Sequence, residues 1–321
     1  MSMVEGGRGL RRRGVLGAVA AVSRERLRLR GRRGATPWAA LAIFLGPNLV
    51  LFLAFMVIPF FFGLGLSLVR WDVVEPPTFA GIGNYLELLH DPLLGKLVWN
   101  TVYFMGASTA VLMVVALLCA LLLNQRVPMI WLWRAVFFLP LITSPVAAAA
   151  VWKWMYAKDY GLVDVIITHL GFKSIDWVYN TKWALPALIV MFIWRQLPLS
   201  TILYLAGLQA IPHEFYEAAA VDGAGRLRTL WHVTVPLLTP TMFFVLVTTV
   251  VHLVFGSFDV ISVMTQGGPL NATNTFIWDI WQNAFQNFKM GFASAEAYFI
   301  FVVVFALTAV NFWVQRWWVR Y

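Results

Sequence analysis

Two short stretches of this chain combine residue types and spacing that could do chemistry. The first is "HEFYEAAAVDGAGRLRTLW" (213–231), where Glu214, Glu217, Asp222, Arg226 and Arg228 surround Ala218, Ala219, Ala220 and Gly223. Small side chains let another surface come close, and flanking charges of both signs can pair with charges on it. This is the composition of a docking knob. The second stretch is "FIWRQLPLS" (192–200), where Arg195 and Gln196 stand beside Pro198 in an apolar run. Proline frees a backbone carbonyl and bends a helix. A guanidinium and an amide set among apolar residues can fork onto hydroxyls or phosphate. His252 is the other polar residue deep in an apolar run, and is expected to be packed in a helix bundle rather than to act as a ligand.

Other chemistries are missing. No G-x-x-x-x-G-K-[ST] loop occurs to cradle a nucleotide, and no His/Cys/Glu cluster has metal-ligand spacing. Carboxylates outside the first stretch are expected in connections and at helix ends, not inside apolar runs where an ion-driven carrier places them. The single cysteine, Cys119, allows no internal disulfide.

The elements that must hold these residues are set by lipid. The 321 residues are 60% hydrophobic and 12% charged, with mean hydropathy +0.75, whereas soluble domains are about a quarter charged. A bilayer core takes about 20 apolar residues in a helix. Six windows meet that length, at about 38–69, 97–123, 131–156, 183–205, 233–255 and 298–314. An open sheet would leave edge groups unpaired in lipid, so the expected fold is an all-α integral membrane protein with six transmembrane helices. Pro47 and Pro59 fall in the first window, which is long enough to tilt or break.

Lys and Arg in the connections fix the expected orientation. The tail 1–37 holds ten arginines, and Arg126, Arg134, Arg226, Arg228, Arg316 and Arg320 bring that side to sixteen. The opposite side holds seven: Arg70, Lys96, Lys153, Lys158, Lys173, Lys182 and Lys289. Both termini are therefore expected in the cytoplasm. The tail supplies most of the net charge of +9 and suits anionic membrane lipid better than nucleic acid. Its short run "VLGAVAAV" is followed by six more arginines, which argues against a cleaved signal peptide. Among the outer connections, "EPPTFAGIGNY" marks turns, and 157–182 has room for one short helix. In the third, about 265–295, Phe276, Ile277, Ile280, Trp281, Ala284, Phe285 and Phe288 share a helical face suited to the membrane–water boundary.

The motif "EAAAVDG", nine residues, then "VTVP" resembles the E-A-A-x-x-x-G-x(9)-I-x-L-P signature of permease subunits of bacterial ATP-binding-cassette importers. Glu217, Ala218, Ala219, Gly223 and Pro236 match, and Val233 and Val235 stand for the family's Ile and Leu. "AGLQAIPHEFYEAA" and "TQGGP…TNTFIWDIWQNAF…GFASAEA" are similar to the carbohydrate-uptake branch, the maltose- and glycerol-phosphate-type permeases. The likeness runs from about Trp38 to the C-terminus.

The resemblance implies a five-part machine. A second, homologous permease subunit pairs with this chain, two ABC ATPase subunits hold ATP and Mg, and an extracytoplasmic solute-binding protein delivers substrate. Residues 213–231 would be the coupling helices, with Glu214, Glu217, Ala218, Ala219, Asp222, Gly223 and Arg226 against an ATPase. The substrate-lining positions implied are Phe192, Arg195, Gln196 and Leu199, with Val250, Val254 and Ser257, and with Leu141, Ser144 and Pro145. The substrate expected is a di- or oligosaccharide, and the alternative is glycerol-3-phosphate or a glycerophosphodiester. Arg195 has two open roles, contact with substrate or with the partner permease. A stand-alone carrier and a lipid-linked glycosyl transferase are the competing classes; the first lacks acids within its spans and the second lacks a paired-carboxylate or metal site.

Overall fold

The computed structural model describes residues 38–125 and 128–318. The ten tail arginines, Arg126 and Arg320 lie outside the described residues. By internal contacts the chain divides at Phe62/Gly63.

In the first unit, α1 (Trp38–Phe52) runs through a π-helical turn at Leu53–Val57 into α2 (Ile58–Ser67), which carries on into the second unit. The turn widens where Pro59 has no N–H to return to the preceding turn. The expected weak point in the first window is therefore a π-turn rather than a break.

The second unit continues with β1 (Val69–Arg70), β2 (Thr78–Phe79), α3 (Gly83–His90), α4 (Leu94–Leu123), α5 (Ile130–Ile142), α6 (Pro145–Met155), α7 (Leu162–His169), α8 (Ala184–Ala210), α9 (His213–Val221), α10 (Arg226–Thr229), α11 (Val235–Met264), α12 (Phe276–Trp281) and α13 (Met290–Trp318). The two strands form an antiparallel hairpin, Val69 opposite Phe79, so "EPPTFAGIGNY" makes a small ladder and a helix where only turns were expected. The fold remains helical. Among the described residues five helices are long and apolar enough to cross a membrane, and six if the bent pair α5–α6 counts as one.

That pair corrects the third span. A continuous helix was expected over 131–156, but α5 and α6 meet at 101°. Ser144 precedes Pro145, and clash with the proline ring drives it out of the helical region; Thr143 and Ser144 both adopt extended ψ, 145° and 131°. The last two spans also begin earlier than expected. A π-turn at Leu230–Thr234 joins α10 directly to α11, and α13 starts at Met290 rather than near Tyr298.

The core of this unit lies between α4, α8 and α11. Phe104 of α4 meets Phe192 of α8 edge-on, with centroids 5.6 Å apart. Toward the α9 end, Ala116, Ala120, Tyr204, Leu208, Leu238 and Val245 form a second buried cluster. Gly207 lets α8 and α11 touch there, since a Cβ would stand 2.4 Å from Thr241 Oγ1. The two spans that flank α9–α10 are thus held together at its root.

Candidate functional site

The chain ends α9 in a specific way. The N–H of Ala224 donates to Ala219 O (2.9 Å) and that of Gly223 to Ala220 O (3.1 Å), with Gly223 at φ +71°. This paired closure is the Schellman motif, which needs a left-handed residue where a Cβ costs about 1–2 kcal/mol. Gly223 therefore sets the angle between α9 and α10. Ala219 is buried, and Tyr216 accepts a hydrogen bond from Thr234 Oγ1 at 3.4 Å, tying α9 to the root of α11.

Much of the rest of this knob faces outward. Glu214, Glu217, Ala218, Asp222 and Arg226 are exposed. So are four large apolar side chains that the charge pattern did not single out: Phe215, Val221 at 88%, Leu227 at 71% and Trp231. His213 stands 3.9 Å from Glu217. Exposed apolar residues rimmed by charge mark a contact with a protein or a membrane surface rather than a solvated loop. The signal was present in the sequence as apolar residues on both sides of the glycine turn.

The residues implied to line a substrate path are placed less uniformly. Phe192, 2% exposed, and Gln196 are packed inside the unit, whereas Arg195 and Leu199, on the adjoining face of α8, are half-buried. The Arg195 guanidinium makes no hydrogen bond or ion pair with the described residues. Leu141 and Ser144 are exposed at the α5–α6 bend, with Pro145 half-buried beside them. Val254 and Ser257 line a narrow recess of about 30 Å3 with Thr101, Phe104, Phe276 and Ile300, and Val250 lies half-buried further along α11. No single cavity gathers all of them. His252, expected to pack within the bundle, is exposed and, among the described residues, bonds only to Thr248 O, 2.8 Å, one turn back; it lies on the outward face of α11.

Sequence reasoning missed a buried polar network at the other end of α11. Asn100 of α4 donates to Asn271 O (2.9 Å) and Asn274 O (2.8 Å), and Lys96 Nζ reaches Leu270 O. Asn274 Nδ2 donates to Asp279 Oδ1 at 2.7 Å. Asn283 Nδ2 donates to both Asp279 Oδ2 (2.9 Å) and Glu296 Oε2 (3.0 Å). Glu296 is wholly buried inside α13, which corrects the expectation that no carboxylate lies within a span. The earlier start of α13 is what encloses it. The face expected at the membrane boundary is mixed: Phe276 and Ala284 are buried and Ile277, Ile280 and Trp281 half-buried, while Trp278, off that face, is buried and stacks on Phe258 of α11 with centroids 6.0 Å apart. Only Phe285 and Phe288 remain exposed.

Helices of this number and length, with a compact exposed helical pair between two of them, are those of a multi-pass membrane protein. The chain belongs to the family of binding-protein-dependent transport system inner membrane components, whose model matches residues 14–320. It is 33% identical over 274 residues to the probable ABC transporter permease protein YurN of Bacillus subtilis, covering 84% of this chain and 93% of that one. It is also 33% identical over 272 residues to the sulfoquinovosyl glycerol transport system permease protein SmoG of Agrobacterium fabrum (85% and 86% covered). The sn-glycerol-3-phosphate transport system permease protein UgpA of Brucella suis is 32% identical over 269 residues (84% and 92% covered). Among solved structures, a bacterial ABC transporter involved in the import of the acidic polysaccharide alginate has a chain of the same fold. Its TM-score is 0.76 at 23% identity, covering 91% of this chain and 98% of that one. The chain is a transport component, and nucleotide binding belongs to the ATPase subunits of such transporters. Among the described residues no group of three or more His, Cys, Asp or Glu could hold a metal ion.

Proposed function

We propose that this chain forms half of the membrane pathway of an importer that carries a sugar into the cytoplasm, with both termini on the cytoplasmic side. A second permease completes the pathway, two ATPase subunits holding ATP and Mg drive it, and a solute-binding protein delivers substrate from outside. The exposed apolar surface around Val221 and Leu227, carried on a Gly223 turn rooted in two spans, is the observation that supports this reading most. A knob held at its base and bare at its tip transmits force once a partner grips it. ATP favours the closed ATPase pair, the pair draws the knobs together, and the spans shift between their inward- and outward-open populations. The coupling residues in this reading are Glu214, Glu217, Ala218, Ala219, Asp222, Gly223 and Arg226, joined by Phe215, Val221, Leu227 and Trp231.

A relative named for sulfoquinovosyl glycerol and a structural neighbour from a transporter involved in alginate import support a sugar as cargo. The relatives named for sn-glycerol-3-phosphate, together with the half-buried Arg195, unpaired among the described residues, support the second reading, an anionic cargo such as a glycerol phosphate. In that reading Arg195 and Leu199 face the pathway, and Phe192 and Gln196 brace them from within. The test is uptake into proteoliposomes holding the assembled transporter. Labelled sugar should enter only with ATP inside the compartment that bears α9–α10 and with the binding protein on the other side. Uptake on an ion gradient without the ATPases would establish a stand-alone carrier instead.

A further inference from the structure

A cleft of about 240 Å3 opens between the β1–β2 hairpin, α3 and the start of α13, lined by Arg70, Trp71, Asp72, Glu75, Glu87 and Lys289 among others. It is built, not incidental. Asn84 is buried at its base and donates to both Ser67 O and Val69 O at 2.9 Å. Gly291 fixes the opposite wall, because a Cβ there would stand 1.9 Å from Val69 O, and its N–H donates to Trp71 O at 3.3 Å. The hairpin tip is held by Asp72 Oδ1, which accepts from the Glu75 N–H at 2.9 Å. Arg70 pairs loosely with Glu87, 3.6 Å, and Lys289 lies over the Phe292 ring, 5.8 Å from its centroid.

The charge pattern selects the ligand. A simple anion entering the cleft would face Asp72, Glu75 and Glu87, and a simple cation would face Arg70 and Lys289. Neighbouring hydroxyls, each both donor and acceptor, satisfy the two sets at once, while the indole of Trp71 offers apolar surface for ring C–H groups. The volume falls below the roughly 300–1,000 Å3 of pockets for drug-sized ligands, so one sugar ring fits rather than an oligosaccharide. We propose that this cleft is a saccharide subsite at the outer mouth of the permease, separate from the path lined by α8 and α11. This rests on the reading of the protein as a sugar importer with α9–α10 on the cytoplasmic side.

The test uses the assembled transporter in nanodiscs without its solute-binding protein, with glucose and glucuronate as probes in saturation-transfer NMR. Ring protons of at least one probe should receive saturation. Losing one partner group should weaken the transfer about fivefold in Trp71→Ala and in Glu75→Gln, whereas Trp99→Ala, an exposed aromatic on α4, leaves it unchanged. Glu75→Gln keeps the backbone N–H that closes the hairpin turn, so it guards against simple misfolding. No transfer in wild type, or equal transfer in both cleft variants, overturns the subsite. If the same variants instead abolish ATPase stimulation by the binding protein with transfer unaltered, the cleft is a protein dock and the proposal fails. Sugar uptake that continues in wild type alongside either result rejects the cleft alone. Absence of uptake of any sugar rejects the importer reading and the cleft with it.

Discussion

The two ends of α11 carry segments of opposite construction. At its start, α9–α10 is secured by the Gly223 turn, Ala219 and the Tyr216–Thr234 contact, and shows solvent Phe215, Val221, Leu227 and Trp231. At its end, the connection through α12 buries Phe276 and Trp278, leaves Phe285 and Phe288 exposed, and ties Asp279 and Glu296 into the chain through Asn274 and Asn283. The same composition, aromatic and charged residues between apolar spans, serves two purposes. One segment packs and bonds largely within the chain; in the proposed reading the other meets a second protein. Burial and hydrogen bonding separate them where hydropathy does not.

If the difference is real, substitutions in the two segments should separate stability from coupling. The largest stability loss belongs to Trp278→Ala. Removing a buried large aromatic costs about 3–5 kcal/mol, and the melting temperature of the purified complex should drop, with the α12 connection opening first in hydrogen exchange. Next comes Asp164, in the connection ahead of α8. Burial works against its charge, but the N–H groups of Ile175 and Asp159 (2.9 Å each), the Ser174 hydroxyl (2.7 Å) and nearby Lys158 outweigh burial and hold its carboxyl below the usual range. A carboxyl lowered on folding contributes stability above its unfolded value, about pH 4, and loses it as pH falls further. Asp164→Asn should cost about 2 kcal/mol at neutral pH and flatten the acid limb of the melting curve.

Gly223→Val lies on the other side of the comparison. The left-handed backbone makes it cost about 1–2 kcal/mol, confined to the α9 end, because nothing lies within 4 Å of the position its Cβ would take. Melting temperature should change little while ATP hydrolysis continues without uptake. Val221→Ser should be the mildest, within about 0.5 kcal/mol, yet should weaken co-purification of the ATPase subunits. A destabilised fold with intact coupling in either variant would dissolve the contrast between the two ends.

The spans and the knob were legible in the sequence because lipid demands long apolar helices and because "EAAAVDG" stops a helix at a glycine. The bend at Ser144–Pro145 was legible in principle, since the pre-proline restriction acts locally, but hydropathy averages across it. Glu296 was not, because its burial depends on α13 beginning eight residues before the apolar run and on Asn283 reaching it from another element. The face of 276–288 divides between core and surface for a related reason. Helical periodicity gives which residues share a side, not whether that side meets lipid or the adjacent α11. Arg195 and Gln196 were found as polar residues in a span, but adjacent positions on a helix point about 100° apart, so one is packed and the other half-open.

Cross-linking from the tip of the knob tests coupling most directly. In a Cys119→Ser background, Val221→Cys and Leu227→Cys should each cross-link to an ATPase subunit of the assembled complex, with yields that change when ATP is trapped. Val302→Cys, on the exposed face of α13, should give none. Cross-links from Val221 and Leu227 only to lipid or to the other permease, or yields indifferent to nucleotide, would contradict the assignment of α9–α10 as the part that receives the energy of hydrolysis.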